Sequence, residues 1–525
     1  MSNEPSSGLR PASIDLPIRR IGQWFIVALS VGVMVTPALT VFLAGSSQNF
    51  PRDWRRDLEG YVEKLPLFQG WRRTDQNWRS EVLGSGNNRV HLGDAGWLYY
   101  RPDLEAIHGK GPYWEEPPSV ARASGQSAWQ APLPVVIDFA GQLRERGIRL
   151  VMVPVPTKPM MVGSGLGLAE TITRPAAWDA MFADLIAAGV EAVDVIPVLA
   201  RLPEEDRYLR HDTHWTPRAM ETVADAVVRK LGEVPGLTPR SYAAGAETHP
   251  IAGDLVDMLD LPASGRPLVL QPEQVTLHPI TDIETGKNPA SDPASPVVLL
   301  GDSFVNIFDD PTLGFPEKKA GSDGARMGAG FAAQLSAKLG AGVDVITVNG
   351  GGATAVREEL ARRGDEAIRS KKVVVWVLSS RDLLLPELPA RRAGIAWSKV
   401  SLEGAAPAPA PASPGAEVKV TGTLREVSFF EDPGTAPYPD AIYSVLFEQV
   451  TSSQAGSPSG EALVYVWAFR AKELLPTSRL EPGTRYQFVL EPLGEVAEVK
   501  SATRIDDLFR PDLPAWFAKE MTPVP

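Results

Sequence analysis

The chain has 525 residues, 44% hydrophobic and 22% charged, an ordinary balance for a globular protein with material for two or three domains. Its net charge of −12 is spread along the chain with no basic block, which argues against a nucleic-acid partner. It contains no cysteine, so disulfides, thiolate metal sites and cysteine nucleophiles are excluded.

Residues 24–44, WFIVALSVGVMVTPALTVFLA, carry no charge, and none occurs between Arg20 and Arg52. A helix of that length spans about 30 Å, the thickness of a bilayer's hydrocarbon layer. The reading is a cytoplasmic segment over 1–20, a transmembrane anchor over 21–44 and a juxtamembrane segment over 45–84. Arg10, Arg19 and Arg20 before the span place the N-terminus inside and the remainder outside. A cleaved signal peptide is the competing reading, although its apolar part is usually shorter. Either way the rest of the chain is exported.

The aromatic stretch HLGDAGWLYYRPDL at 91–104 suits a strand and a turn. From about 130 to 385 helical patterns alternate with short apolar runs. Residues 133–147 predict a helix, 148–156 a buried strand, 177–189 a helix, and 190–199 a short strand leading into a turn. At 216–232 Thr216 can cap, Pro217 suits the first helical position, and Met220, Val223, Val227, Val228 and Leu231 form an apolar stripe that Gly232 ends. PVVLLGDS (296–303), VDVITVNGGG (343–352) and KKVVVWVLSSRD (372–382) each place a β-branched run before polar or glycine-rich residues. This alternation predicts an α/β fold, a mainly parallel sheet flanked by helices, with function at the carboxyl ends of its strands.

A proline–alanine linker over 401–416 marks a boundary that few contacts should cross. Beyond it, 417–525 is rich in β patterns and predicts a small separate all-β domain, barrel-like or sandwich-like. Its Tyr443, Tyr465 and Trp467 are open to two readings, a glycan-holding face or core packing.

Two of the six histidines fall within RHDTHWTPRAM, residues 210–220. An acid, a histidine and a tryptophan within four positions are costly to cluster for packing alone. Ser303, after the apolar run of VVLLGDSF, is the candidate nucleophile: Gly301 permits a sharp turn, and backbone N–H groups there can face an oxyanion. A serine hydroxyl needs an adjacent base oriented by a carboxylate. If 212–214 is extended, Asp212 and His214 project to one face and can fill those roles. Asp302 is a local turn-former, and Trp215 is either core or a pocket wall for sugar stacking. The histidines lack zincin spacing and the Asp-x-His pair alone is a poor metal site, so no metal is expected.

Together DTHW, GDSF, GDAGWLYYRPDL and VPVPTKP resemble the SGNH-type domain of alginate O-acetyltransferases, over about residues 85–390 within a domain of 85–400. The permuted order of that family, Asp-x-His before the serine, is also met here. The resemblance implies a bacterial protein of the inner membrane whose catalytic domain acetylates an exported, alginate-like polysaccharide in the periplasm. It implies Ser303 as the acetyl-accepting nucleophile, His214 as general base and Asp212 as its orienting acid, with no cofactor. One oxyanion donor is the Ser303 amide. Another can come from Asn349, Gly350 and Gly351 in the NGGG turn, which is otherwise a plain strand-to-helix turn. Arg381 matches a recurrent arginine–aspartate segment of the family. The acetyl donor is expected to be a multi-pass membrane acyltransferase partner, since cytoplasmic acetyl-coenzyme A cannot reach an exported domain. An esterase using the same triad and a non-catalytic glycan-binding scaffold are the two rival readings.

Overall fold

The computed structural model describes residues 86–115, 129–259, 270–313, 327–385, 397–403 and 418–524, with Gln76 and Leu261, less 429, 431–432, 434–435, 437, 453–457, 500–501, 507, 509 and 511–512 in the last stretch. The expected anchor at 21–44, nearly all of the juxtamembrane segment and the linker from 404 onward lie outside the described residues. Among those described, no helix is long and apolar enough to cross a membrane.

The described chain opens with an antiparallel hairpin, β1 (Val90–Leu92) and β2 (Leu98–Tyr100), followed by helix α1 (Arg101–Ile107). Next come α2 (Pro132–Glu145), β3 (Arg149–Val155), α3 (Lys158–Met161), α4 (Ala176–Ala187) and β4 (Glu191–Ala192). The short strand expected at the start of 190–199 is two residues long, and the turn expected after it is helix α5 (Val195–Leu199). Asp194 explains the change: its carboxylate caps Ile196 N–H, and Pro197 sits in the first turn, where amides lack intrahelical acceptors. Helix α6 (Pro217–Leu231) follows its pattern closely; Thr216 accepts from Ala219 N–H, and Gly232 ends it at φ +62°.

Two small antiparallel pairs follow, β5 (Tyr242–Ala244) with β8 (Ile280–Asp282) and β6 (Glu247–Ile251) with β7 (Glu273–Leu277), with α7 (Asp254–Met258) between β6 and β7. The chain then runs through β9 (Val297–Gly301), α8 (Ser303–Asn306), α9 (Phe331–Leu339), β10 (Asp344–Thr347), α10 (Ala355–Ala361), α11 (Asp365–Arg369), β11 (Val373–Ser379) and α12 (Ser380–Leu384). Strands order as β10-β9-β11-β3-β4, every pair parallel. All residues of β9 and β11 are buried, as expected for parallel strands covered on both faces. The register aligns Thr347 with Gly301, Gly301 with Val377, and Ser379 with Val155. The carboxyl ends of β10, β9, β11 and β3 therefore open at one edge, and the segments leaving them, together with the 211–214 bend before α6, supply the site.

Residues 418–524 carry β12 (Val418–Val427), β13 (Ala441–Thr451), β14 (Gly460–Arg470), β15 (Glu473–Leu474), β16 (Arg485–Pro492), β17 (Thr503–Ile505) and β18 (Ala515–Pro523). The pairings β12–β13, β13–β14, β14–β18, β18–β16 and β16–β12 close a ring of five strands. Only β14–β18 is parallel in that ring, so the order is first-second-third-fifth-fourth, the arrangement of an OB-type barrel. Closure removes the exposed edges that an open sheet would leave. Tyr443 and Tyr465 are buried, and the half-buried Trp467 packs edge-on against Phe517 at 6.1 Å. Tyr443 points into the barrel with Val464 and Val466, whereas Tyr465 and Trp467 lie on the outer face of the wall, where residues of 493–502 and Phe517 pack over them, so packing and not an open glycan face accounts for Tyr443 and Tyr465.

The barrel meets the α/β region through buried charge, more intimately than a linker alone suggests. Arg504 on β17 donates to Glu359 Oε2 at 3.0 Å and to the Ala355 carbonyl at 3.2 Å, while Arg362 faces Asp506 at 3.9 Å.

Candidate active site

The turn that carries Ser303, the candidate nucleophile, follows from local sterics. A Cβ at Gly301 would lie 2.2 Å from Val305 Cγ2, so only glycine lets β9 turn this tightly into α8. Asp302 caps the turn: Oδ1 accepts Phe304 N–H at 2.9 Å and Oδ2 accepts Ser379 N–H at 3.1 Å, tying the end of β9 to the end of β11. Burial pushes the Asp302 carboxyl above its usual range, and the two N–H groups only partly offset this. Ser303 is the first residue of α8, where an amide has no intrahelical acceptor. It is also the one partly exposed position in residues 301–310. The hydroxyl is thus reachable from outside on an otherwise buried turn.

His214 Nε2 lies 2.9 Å from Ser303 Oγ, and His214 Nδ1 lies 2.7 Å from Asp212 Oδ1. The juxtaposition does not come from an extended 212–214. Residues 211–214 are a bend, closed by Leu209 N–H to the His214 carbonyl and a Tyr208–Trp215 bridge. Asp212 Oδ1 folds back to accept His214 N–H at 3.0 Å, the short-range bond that aspartate side chains offer in turns. Acid and imidazole meet because the carboxylate holds both the backbone and the ring of residue 214. Burial penalises the imidazolium, yet the hydrogen bond and charge of Asp212 outweigh it and raise the His214 pKa. Burial likewise works against the Asp212 carboxylate, but His214 and the amides of 254 and 214 hold its pKa down.

Two supporting residues have no assigned role in the sequence reading. Asp254, opening α7, donates its N–H to Asp212 Oδ2 at 3.0 Å and accepts from Thr213 N–H at 2.8 Å and Thr213 Oγ1 at 2.6 Å. Burial and the nearby charge of Asp212 push its carboxyl up to about 7. Gly253 precedes it at φ +87° with the His211 carbonyl 2.2 Å from where a Cβ would stand, so the GD pair in AGDLVDM is the available signal. Lys158, from VPVPTKP, is wholly buried and spends its ammonium on the carbonyls of Leu98 (2.5 Å), Arg210 (2.8 Å) and Asp212 (2.9 Å). It ties three of the quoted motifs into one body, a relation between distant segments that spacing does not encode.

The remaining candidates divide. Asn349 and Gly350–Gly352 follow β10 beside the turn at Asp302 and Ser303. Asn349 Oδ1 accepts from Asn306 at 2.8 Å, and a Cβ at Gly352 would come within 3.0 Å of Asp302. The Asn349 amide nitrogen is directed to Asp310 Oδ2 at 3.2 Å. Trp215 is not a sugar platform: it is fully buried, stacked on Phe331 at 5.7 Å and edge-on to Phe304. The bend that delivers His214 turns the next side chain into the core. Arg381 pairs with buried Asp103 and lies 5.1 Å over the Tyr100 ring, joining α12 to α1. The atoms of Asp212, His214 and Asp254 lie within 4.8 Å of one another, a spacing that can hold a cation. Each of the four carboxylate oxygens there already accepts an N–H or O–H donor, which suits a hydrogen-bonded relay. The arrangement can deprotonate a serine at a partly open position and stabilise the resulting imidazolium.

The family model for the SGNH hydrolase-like domain of acetyltransferase AlgX matches residues 90–380. The chain is 30% identical over 205 residues to the probable alginate O-acetylase AlgJ of Pseudomonas aeruginosa, covering 37% of this chain and 47% of that protein. It is 25% identical over 232 residues to the probable alginate O-acetylase AlgJ of Pseudomonas syringae pv. tomato, covering 43% and 54%. The match thus spans about half the length of these relatives. Among solved structures, the O-acetyltransferase domain of Pseudomonas putida AlgJ superposes with a TM-score of 0.40 at 21% identity, covering 56% of this chain and 92% of that one.

Proposed function

The chain belongs to the family of SGNH hydrolase-like domains of acetyltransferase AlgX, and from that premise we propose that it transfers acetyl groups to hydroxyls of an exported, alginate-like polysaccharide through an acetyl-serine at Ser303. The observation that carries the reading is the unbroken relay from Asp212 through His214 to Ser303, with links of 2.7 and 2.9 Å.

In the first half-reaction Ser303 Oγ attacks the carbonyl carbon of the donor's acetyl group while His214 Nε2 takes the hydroxyl proton. The Ser303 amide, with a donor from the Asn349–Gly352 turn, faces the oxyanion of the tetrahedral intermediate. Collapse expels the donor's leaving group, which receives the proton from His214, and leaves Ser303 acetylated. In the second half a sugar hydroxyl gives its proton to His214 and attacks the acetyl carbonyl. The new ester departs and Ser303 Oγ takes the proton back. Asp212 keeps the imidazole in the productive orientation throughout.

Residues 21–44 would hold this region at the periplasmic face of the inner membrane, with a multi-pass acyltransferase delivering acetyl groups from the other side. Hydrolysis by the same triad is the nearest rival, differing only in whether water or sugar attacks the acetyl-serine. A glycan-binding scaffold has no use for the complete relay. The deciding experiment incubates the exported region with an activated acetyl ester and mannuronate oligomers and weighs the products. Acetylated oligomers support transfer; acetate alone supports the esterase.

A further inference from the structure

We propose that the C-terminal barrel is a positioning element for the acyl site, acting through the Asn349–Gly352 turn and helix α10. The proposal rests on the acetyl-serine reading above. In an OB-type barrel the connections between the first and second and between the fourth and fifth strands form the ligand-gripping edge. Here those connections are 428–440, after β12, and 493–514, after β16. Tyr438 of the first and Thr503 of the second reach the Asn349–Gly352 turn. Gly350 stands at φ +72°, and a Cβ there would lie 3.2 Å from Thr503 Cγ2 and 3.9 Å from Tyr438 Cε1. The turn beside the nucleophile is thus packed from outside by one residue of each connection.

The other side of the same turn rests on the nucleophile's own support. Val348 N–H donates to the Gly301 carbonyl at 3.0 Å, and the Gly352 carbonyl accepts Trp376 Nε1 at 2.8 Å. Asn306, at the end of the helix that Ser303 begins, holds Asn349. The turn is therefore clasped between the α/β core and the barrel.

Charge fixes the clasp. Arg504, next to Thr503 on β17, bonds the Ala355 carbonyl in the first turn of α10 and Glu359 one turn later. Asp506, two residues on, faces Arg362 at 3.9 Å. It is held in turn by Ser444 Oγ at 2.7 Å and by the Tyr465 hydroxyl. Thr503, Arg504 and Asp506 are all buried. β17 pairs with β13 at Ile442–Arg504, so the barrel wall sets where that guanidinium stands. A shift of the barrel would move the start of α10 and the turn before it. Thr503, Arg504 and Asp506 are accordingly positioning residues.

The test uses the full chain. Arg504→Met and Asp506→Asn are compared with the wild type by three readouts: the single-turnover rate of Ser303 acetylation from 4-nitrophenyl acetate, thermal melting, and amide exchange across 348–356. The expected result is a folded protein at about 25 °C whose maximal acetylation rate is down about tenfold, since small misplacements of catalytic groups are costly. The half-saturating ester concentration should change little, exchange should quicken at 349–352, and Arg504→Lys should recover part of the rate. Folded variants with wild-type rates and unchanged exchange overturn the proposal. If Arg504→Met fails to fold, Thr503→Ser, which removes only the methyl that meets Gly350, carries the test: a slower rate supports positioning and a wild-type rate refutes it. If the wild type itself gains no acetyl on Ser303, the acetyl-serine reading fails, and exchange at 349–352 still decides the positioning claim.

Discussion

Around Ser303, Asp212, Asp254 and Asp302 meet N–H or O–H donors on both oxygens at 2.6 to 3.1 Å, whereas beneath the barrel Arg362 faces Glu358, Glu359 and Asp506 only at 3.8 to 3.9 Å. Among the described residues, the Arg362 guanidinium nitrogens and both Glu358 carboxylate oxygens make no hydrogen bond. The contrast shows what each cluster is for. Directed hydrogen bonds fix orientation, which a proton relay requires. The directed bonds from barrel to α10 are those of Arg504, to Glu359 at 3.0 Å and the Ala355 carbonyl at 3.2 Å; point-charge contacts such as those of Arg362 and Glu358 fix only approximate distance. Buried charges of the second kind are expensive to strand singly and cheap to replace with a well-shaped neutral group.

The largest expected effect breaks the first cluster at its centre. Ser303→Ala and His214→Ala should each remove acetyl turnover by about 10⁴-fold or more, with near-ultraviolet spectra unchanged. The double variant should be little worse than either alone, because the members act as one unit. A Ser303→Ala protein that transfers acetyl at near-normal rate would end the acyl-serine mechanism.

Asp212→Asn sharpens the role of direction. A loss of about 10³- to 10⁴-fold is expected in the single-turnover rate. The pH profile reads the cause. The base works only as neutral imidazole, and Asp212 holds its pKa above 6.5, so wild-type acetylation should rise with pH through a midpoint above that value. Removing the carboxylate withdraws support for the imidazolium, so the midpoint should move down. An unchanged or raised midpoint would show that Asp212 does not stabilise His214.

Lys158→Met asks whether the frame of the relay matters as much as its members. The change strands three buried carbonyls, at a cost of about 3 kcal/mol of stability, and frees the Asp212 backbone. Denaturant melts should show the loss, and turnover should fall about tenfold at temperatures where the variant is still folded. Normal turnover in a destabilised variant would reduce Lys158 to a structural tie.

Glu358→Gln should have the smallest effect. Burial and the charge of Asp506 push the Glu358 carboxyl up to about 8, so it is largely protonated at neutral pH and glutamine resembles the form already present. A folded-state pKa above the ordinary glutamate value of 4.5 means that the folded protein binds the extra proton. Stability from that proton is complete below 4.5 and is lost as pH rises through about 8. The variant should therefore melt within about 1 kcal/mol of wild type at pH 5 and more stably than wild type at pH 9. A variant that is less stable at pH 9 would show a charged, well-paired Glu358, and the contrast between the clusters would fail.

Much of the site was legible without coordinates because its signals are local. The β-branched run before Gly301 and Ser303 announces a buried strand ending in a tight turn, and Thr216 with Pro217 announces the helix after His214. Asp212 and His214 are two residues apart, near enough that almost any compact conformation of the bend lets them meet. Helical and parallel-strand periods similarly placed α2, β3, α4, α6, β9, β10 and β11 within a few residues, since each is set by burial of its own side chains. What only the tertiary structure decided are relations between segments far apart in the chain. The meeting of His214 with Ser303, the insertion of Lys158 among three carbonyls and the support of Thr213 by Asp254 depend on how strands stack, and one chain's local pattern carries no record of that. Trp215 was open to two readings because an aromatic suits core and pocket equally until the bend points it inward. Barrel closure is the same case at larger scale: β13 and β14 are visible as strands, but the parallel pairing of β14 with β18 that completes the ring, and the docking of Arg504 on α10, are non-local contacts whose energy appears only once the chain has folded.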